Sequence, residues 1–212
     1  MSMENDADRP AGPSLAAGDA TSWFDRLYQE AAQGRAVVPW DQPSPSGGLD
    51  TADLPRGDGK RALVVGCGLG RDAEFVAGLG YATTAFDISP TAVRDARARH
   101  RGTAVSYEVA DLLSPPADWS RAFGLVVESN TVQALPRSLR PAATASVASF
   151  LAPGGTLVVL AAALDSPSDE GPPWPLTRDE AVAFATGGVR LVSVDRLDSD
   201  RFDGRWRAVF TR

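Results

Sequence analysis

Few residues in this 212-residue chain could support nucleophilic or metal chemistry, because it contains one cysteine and one histidine. With Cys67 alone, an intrachain disulfide is impossible, and a structural zinc site built from several thiolates is excluded. His100 is the only imidazole available to a Ser-His-Asp triad, and its arginine-rich surroundings predict a solvated, basic helix end. The acidic residues are scattered along the chain, so we expect no bound metal.

Long apolar runs are also missing from the sequence. No uncharged stretch reaches the roughly 18 residues of a membrane helix, and the acidic first twenty residues lack the apolar centre of a secretory signal. The chain has 27 acidic and 21 basic residues, and the resulting net charge of -6 disfavours nucleic acids and anionic membranes as partners. We therefore expect a cytoplasmic protein without a nucleic-acid or membrane partner, with its oligomeric state left open.

The chain divides into three parts by composition. Residues 1–20 are rich in Ala, Gly, Asp and Pro and predict a disordered arm. Residues 21–60 predict a helix that ends by Gly34, followed by a Pro/Gly-rich linker that closes over the site. Residues 61–212 alternate short β runs with helical stretches, which predicts an α/β fold with a doubly wound, seven-stranded, mostly parallel sheet. A short turn near the end of the chain predicts an antiparallel C-terminal hairpin.

A glycine-rich loop follows the first predicted strand, with the sequence Gly66-Cys67-Gly68-Leu69-Gly70. Glycines permit positive φ angles and let a ligand approach the backbone closely. A dinucleotide-binding fold expects G-x-G-x-x-G, whereas the third glycine here comes one residue early. The loop predicts a nucleotide-like ligand, although a plain tight turn would also explain it.

Two carboxylates stand where the second and third predicted strands end. Asp87 is placed to accept hydrogen bonds from ribose hydroxyls, or else favours the start of the next helix. Asp111 is placed to accept from an adenine amino group, with Leu112 and Leu113 packing on the ring, or else caps a loop. Because the carboxyl ends of parallel strands meet at one edge of a sheet, we expect the glycine loop and both acids to share a cleft.

The glycine loop and these two acids occur in the order seen in class I S-adenosylmethionine-dependent methyltransferases, which the chain resembles most strongly over residues 60–162. The resemblance implies a Rossmann-like methyltransferase fold and S-adenosylmethionine as the cofactor. It also implies that Arg71 meets the cofactor carboxylate and that tryptophan rings face its sulfonium. The resulting cofactor-binding candidates are Trp23, Trp40, Gly66, Cys67, Gly68, Gly70, Arg71, Asp87, Ile88, Asp111, Leu112, Leu113 and Glu128.

Three further stretches resemble the thiopurine methyltransferase-like group: Pro39-Trp40-Asp41, Gln133-Ala134-Leu135-Pro136 and Gly171-Pro172-Pro173-Trp174. Members of that group have an aromatic N-terminal element that closes over the cofactor and a G-P-P-aromatic segment near the acceptor pocket. The resemblance implies that Glu128, Asn130 and Trp174 help to position the substrate. Core packing is the alternative for Trp23 and Trp40, and a surface-loop anchor is the alternative for Trp174.

The chain departs from the group in two places. Its linker after Trp40 is short where relatives commonly have another helix, and Glu128-Ser129-Asn130 stands in place of their Asp-Arg pair. The identity of the methyl acceptor therefore does not transfer.

The resemblance implies methyl transfer to a small nucleophile, thiol-like or otherwise soft, by in-line displacement. Because the methyl donor is already activated, the protein mainly has to align the reactants, and a soft nucleophile needs no histidine base. A catalytically silent module that binds an adenosyl cofactor is one alternative. An NAD-dependent oxidoreductase is another, which the glycine spacing disfavours. The negative charge and the missing N-P-P-Y-type motif disfavour a nucleic-acid or protein methyltransferase.

Overall fold

A seven-stranded sheet forms the centre of the computed structural model, which describes residues 8–167, 171–199 and 203–212. Its strand order is β3-β2-β1-β4-β5-β7-β6. The strands are β1 (Arg61–Val65), β2 (Ala82–Asp87), β3 (Ser106–Val109), β4 (Phe123–Ser129), β5 (Leu151–Ala162), β6 (Arg190–Leu197) and β7 (Arg205–Thr211). Strands β1 to β5 pair in parallel, and β7 runs antiparallel to both β5 and β6. The predicted α/β fold with an antiparallel C-terminal pair is confirmed.

The apolar runs of the sequence become the central strands because both faces of this sheet are covered. Leu63 and Val65 contribute to the core on one face, while Ala62 and Val64 contribute to the core on the other. All four side chains are at most 2% exposed. Such continuous burial explains why these strands are uninterrupted apolar runs rather than alternating patterns.

Six α-helices flank the sheet in the part of the chain that the structure describes. They are α1 (Asp8–Ala16), α2 (Ser22–Ala32), α3 (Arg71–Gly78), α4 (Pro90–Arg99), α5 (Arg140–Ser149) and α6 (Arg178–Val182). Single 3-10 turns cover Ala117–Trp119, Val132–Ala134 and Arg137–Leu139. Side chains cap two of these helices, since the Ser89 hydroxyl accepts from the Ala92 amide at α4 and Thr177 forms a capping box with Glu180 at α6.

Helix α1 differs from the disorder that the composition of residues 1–20 predicts. Residues 1–7 lie outside the described part of the chain, but Asp8–Ala16 is helical despite containing glycine and proline. Ala11 is completely buried in a small apolar cluster with Trp23 and Leu27. The helix therefore owes its stability to packing on α2, which composition does not reveal.

The linker of residues 42–60 contains no helix or strand, as its proline and glycine content predicts. It is nevertheless anchored to the body of the protein. Leu49 is fully buried against the sheet core, and the Gly57 amide donates to the Leu79 carbonyl at 2.9 Å. This segment runs past the carboxyl ends of the central strands, where the candidate site lies.

Candidate active site

A cavity of about 490 Å³ opens at the carboxyl ends of strands β1 to β4. Helix α2 and residues 39–47 cover it, and the turns that follow the strands form its floor. Twelve of the residues proposed from the sequence line this cavity, namely Trp23, Trp40, Gly66, Cys67, Gly68, Arg71, Asp87, Ile88, Asp111, Leu112, Leu113 and Asn130. Its size is that of a small-molecule or cofactor site, which typically measures roughly 300–1,000 Å³.

The glycine loop connects β1 to α3 through left-handed backbone conformations. Gly68 has a φ of 51°, and a Cβ atom placed there would lie 2.8 Å from the hydroxyl oxygen of Tyr28. Only glycine therefore lets helix α2 approach the loop this closely. Gly70 adopts φ 90° at the start of α3 and does not line the cavity, and Cys67 is a buried thiol whose pKa burial raises.

Backbone amides hold both carboxylate oxygens of Asp87. One oxygen accepts from the Gly68 amide at 2.9 Å, and the other accepts from the Ser89 amide at 2.9 Å. Burial raises the pKa of Asp87, and the nearby Asp25 raises it further, while the backbone donors oppose both effects. A carboxylate has about four acceptor positions, so these contacts do not exhaust its capacity to accept hydrogen bonds.

The far wall of the cavity follows strand β3. Asp111 is exposed there, and its carboxylate accepts from the Leu113 amide at 2.8 Å. Leu112 is 6% exposed and belongs to the main core, while Ile88 completes the apolar lining from the end of β2. This side of the cavity therefore combines apolar side chains with one exposed carboxylate.

Four aromatic side chains, which we call the aromatic roof, cover the cavity: Trp23, Phe24, Tyr28 and Trp40. Trp23 is 1% exposed and stacks on Phe24 with ring centroids 3.9 Å apart. The indole N–H of Trp40 donates to the Tyr28 hydroxyl at 2.7 Å. Both predicted tryptophans therefore pack into the protein and line the cavity at the same time.

Sequence reasoning missed Tyr28 and Phe24, although a signal for both was present. Phe24 and Tyr28 lie four residues apart on α2, each one position after the apolar residues Trp23 and Leu27. Burial raises the pKa of Tyr28 well above its ordinary value, so its hydroxyl stays protonated.

Two acidic residues hold the N-terminal segment onto the body of the fold. Asp41 accepts from Arg71 at 2.9 Å and from both terminal nitrogens of Arg99 at 2.8 and 2.9 Å. The hydrogen-bonded Arg99 guanidinium is the main favourable influence that keeps the pKa of Asp41 below its usual range. Asp25 accepts from the Ser89 hydroxyl at 2.6 Å, which fixes α2 to the start of α4. Arg71 therefore lines the cavity and also helps to hold the N-terminal segment against the rest of the fold.

A row of polar side chains, which we call the polar row, lines the side of the cavity next to β4. The Ser46 amide donates to Asp72 at 2.7 Å, and the Ser129 hydroxyl donates to the Ser46 hydroxyl at 2.8 Å. Asn130 donates to Ser129 at 3.1 Å and accepts from Arg205 at 3.3 Å. Asn130 also has a φ of 61°, which turns its amide toward this row.

Glu128 does not line the cavity, although the resemblance placed it at the cofactor. Its side chain is completely buried, and one oxygen accepts from the amides of Thr131 and Val132 at 2.8 and 2.9 Å. Burial raises the pKa of Glu128 to about 7, against the opposing effects of these two donors and of Arg205. Its visible role is to hold the turn after β4 that carries the cavity floor.

The Gly171–Trp174 segment reaches the cavity through Pro173 rather than through the Trp174 ring. The Trp174 amide donates to the Gln133 carbonyl at 2.9 Å, and Gln133 itself lines the cavity. The segment is thus a wall of the cavity, and its tryptophan lies behind that wall.

His100 is not the solvated helix end that its surroundings predict. Its Nε2 is 3.0 Å from the Leu69 carbonyl oxygen in the glycine loop, and its ring stacks near Tyr107. The residue is absent from the cavity lining, so it supports the loop from outside. Within the described ranges, no group of three or more His, Cys, Asp or Glu residues could hold a metal ion. The helices described are all too short or too polar to cross a membrane.

Comparisons with known proteins agree with this geometry. Residues 62–155, which span β1 to the middle of β5, match the family described as Methyltransferase domain. The chain is 28% identical over 191 residues to probable thiol methyltransferase 2 of Arabidopsis thaliana, covering 84% of this chain and 80% of that protein. It is 33% identical over 101 residues to 2-heptyl-1-hydroxyquinolin-4(1H)-one methyltransferase of Mycobacteroides abscessus, covering 46% of this chain and 44% of that protein.

Among solved structures, the N-methyltransferase NodS of Bradyrhizobium japonicum WM9, in complex with S-adenosyl-L-homocysteine, superimposes with a TM-score of 0.68. The identity is 20%, and the match covers 88% of this chain and 98% of that one. The methyltransferase-domain match covers residues 62–155, and the likeness to NodS shows that the chain has the Rossmann-like fold of that enzyme. The plant protein is a relative over most of both chains.

Proposed function

We propose that this methyltransferase acts on a small, soft nucleophile such as a thiolate, held between the aromatic roof and the turn after β4. The observation that carries the proposal is the cavity itself, where Asp87 and the glycine loop lie beneath a roof of four aromatic rings. The curated relatives support a small acceptor, because one is named for a thiol and another for a hydroxyquinolone.

The residues of the cavity fit S-adenosylmethionine as the cofactor. In the proposed arrangement the backbone of Gly66 to Gly68 would hold the methionine part, and the Asp87 carboxylate would accept from the ribose hydroxyls. Asp111 accepts from the adenine amino group, with Leu112 and Leu113 against the ring.

When bound, S-adenosylmethionine supplies a methyl group on a positively charged sulfur, which a nucleophile takes by in-line displacement as the carbon–sulfur electron pair returns to sulfur. The protein has to hold the two reactants in line and exclude water. The rings of Trp23 and Trp40 cover the site and present π faces or edges to a cationic ligand.

A soft acceptor is favoured because three carboxylates of the cavity already have partners. Asp41 is paired with two arginines, Asp72 accepts from Ser46, and Asp87 accepts from backbone amides. The single histidine of the chain does not line the cavity and contacts the Leu69 carbonyl. An acceptor that is ionised before it binds, such as an aromatic thiol or an acidic heterocycle, needs no base from the protein.

Two measurements test the proposal. Isothermal titration should show heat with S-adenosylhomocysteine and none with NAD. Transfer of a radiolabelled methyl group should then be screened across thiols, halides and small heterocycles. Turnover confined to a hard alcohol or amine acceptor would reject the soft-nucleophile proposal, and binding without turnover on any acceptor would favour the silent module.

A further inference from the structure

A buried ion pair holds the wall of the cavity from behind. Arg140, in the first turn of α5, is 5% exposed. One of its terminal nitrogens donates to Glu180 at 2.5 Å, and the other donates to the Trp174 carbonyl at 2.8 Å. The backbone of Trp174 is therefore held on both sides, because its amide donates to Gln133 at 2.9 Å.

Glu180 divides its two oxygens between this pair and the start of α6. Its Oε1 accepts from Arg140, while its Oε2 accepts from the Thr177 amide at 2.8 Å. Arg140 and Glu180 thus tie α5, α6 and the Trp174 carbonyl to one another, and we call this arrangement the clasp. Arginine suits it because a planar guanidinium can donate to two acceptors at a fixed angle, which a lysine ammonium does not reproduce.

The clasp borders a second cavity of about 350 Å³, which Leu176 and residues of α5 and α6 also line. On the other side, Pro173 lines the main cavity, and the Trp174 ring folds so closely over Gly171 that a Cβ atom there would lie 2.7 Å from it. The segment is therefore internally compact, and its Trp174 carbonyl is bonded to an arginine that borders the second cavity.

A guanidinium with so little exposure is expensive to bury unless its partners compensate it. A purely structural explanation would need this pair to join elements that nothing else connects. Yet the amide of Leu176 already donates to Ala162 at 2.9 Å, and the Trp206 indole donates to the Leu176 carbonyl at 2.8 Å. Leu176 is therefore attached to the sheet without the help of the clasp. The clasp instead fixes the position of Trp174.

We propose that Arg140, held by Glu180, is a positioning residue that sets the place of the Pro173 wall and thereby the binding of the methyl acceptor. The proposal rests on the proposed function, in which the acceptor lies next to the turn after β4. Pro173 lines the same cavity, and the Trp174 amide is bonded to Gln133 in that turn. Arg140 touches neither the main cavity nor the cofactor residues, so it acts through Trp174 alone. The binding of the cofactor should not depend on it.

The test compares Arg140→Lys with Arg212→Lys, whose guanidinium also donates to two groups, the Gly187 and Ala148 carbonyls, at the opposite end of the sheet. Amide hydrogen exchange of residues 171–176, in which Gly171, Trp174 and Leu176 carry amide hydrogens, reports on the clasp without any turnover. The KM for 4-nitrothiophenol, whose thiolate colour disappears on methylation, reports on the acceptor. Titration with S-adenosylhomocysteine reports on the cofactor site.

In Arg140→Lys we expect exchange of residues 171–176 and the KM for 4-nitrothiophenol each to rise about tenfold, the effect of losing a charged hydrogen bond. The dissociation constant of S-adenosylhomocysteine should stay unchanged, and Arg212→Lys should change none of the three. Unchanged exchange would overturn the clasp. Faster exchange with an unchanged KM, or with weakened cofactor binding, would overturn its role in placing the acceptor.

Two further outcomes remain decisive. If Arg140→Lys fails to fold, Glu180→Gln removes the charge that compensates Arg140 and should raise exchange and KM in the same sense by a smaller factor; no change would overturn the proposal. If the wild-type protein binds S-adenosylhomocysteine but methylates no probe thiol, the acceptor proposal fails, while exchange in the variant still decides whether the clasp holds the wall.

Discussion

Asp87 shows how one side chain can both shape a binding loop and face its ligand. Its carboxylate accepts from Gly68 in the glycine loop and from Ser89 at the start of α4. The sequence predicted a strand-end acid here from spacing alone, and the structure places it against the loop. The two backbone contacts were beyond prediction, because they depend on how the turns after β1 and β2 fold together.

Replacing Asp87 with asparagine should weaken the binding of S-adenosylhomocysteine roughly ten- to a hundredfold, the range for losing hydrogen bonds to a charged group. An amide presents one oxygen acceptor and an NH2 group, which would face a backbone donor. Isothermal titration measures the change. Asp118→Asn, an exposed acid in the 3-10 turn Ala117–Trp119, is the control and should bind as the wild type does. Equal affinities in both variants would contradict the ribose assignment.

Glu128 should make the protein less stable as the pH rises. Its pKa is about 7 in the folded chain, against an ordinary value of 4.5. Between these values the folded state holds a proton that the unfolded state has lost, so the free energy of unfolding falls across this window, by roughly 3 kcal/mol at most.

The variant Glu128→Gln mimics the protonated acid and should be as stable as the wild type at pH 5 but more stable at pH 8. Urea unfolding at the two pH values measures this difference. Glu108→Gln, for an acid on strand β3, should keep the wild-type pH dependence. A wild-type protein whose stability does not fall between pH 5 and pH 8 would show that the buried carboxyl is not protonated.

At the scale of elements, sequence patterns predicted the helices and strands that have local capping signals or a clear hydrophobic period. Helix α4 begins at the cap Ser89-Pro90, and helix α6 begins at a capping box, both of which are local sequence signals. Helix α5 begins at Arg140, after Arg137–Leu139 has formed a 3-10 turn. Helix α1 and the contact of His100 with Leu69 were not predictable, since both depend on packing between distant segments.

The N-terminal segment is an element held by ion pairs that salt can weaken. Asp41 is 28% exposed, so its pairs with Arg71 and Arg99 are partly screened by solvent. In Asp41→Asn the segment should open more readily, and S-adenosylhomocysteine should dissociate about two- to fivefold faster, the effect of losing roughly 0.5–1 kcal/mol.

Stopped-flow measurement of the dissociation rate at low and high salt tests this expectation. Added salt should accelerate dissociation from the wild type and have little effect on Asp41→Asn. Asp95→Asn removes an exposed pair with Arg94 and should behave as the wild type. A salt response in Asp41→Asn as large as that of the wild type would show that these pairs do not hold the segment closed.

For the whole molecule, the alternation of strands and helices was enough to predict the sheet, but not the way in which the first 60 residues complete the cavity. Trp40 and Ser46 lie in a stretch without regular structure. Trp40 nevertheless forms a hydrogen bond with Tyr28 on α2, and Ser46 forms one with Ser129 at the end of β4. Ser46 belongs to a Pro/Gly/Ser-rich linker whose composition carries no such signal. The cavity is therefore a product of the entire chain, and a ligand in it should stabilise the whole fold.

Saturation with S-adenosylhomocysteine should consequently raise the melting temperature of the protein. A ligand at a hundred times its dissociation constant adds about 2.7 kcal/mol to the free energy of unfolding. For a chain of this length each kcal/mol corresponds to roughly 2–4 °C, so the expected increase is about 5–11 °C. Differential scanning calorimetry measures it, with NAD at the same concentration as the control. An equal increase with NAD would show that the cavity does not select an adenosyl cofactor, whereas a smaller increase in Asp87→Asn would connect the stabilisation to the end of strand β2.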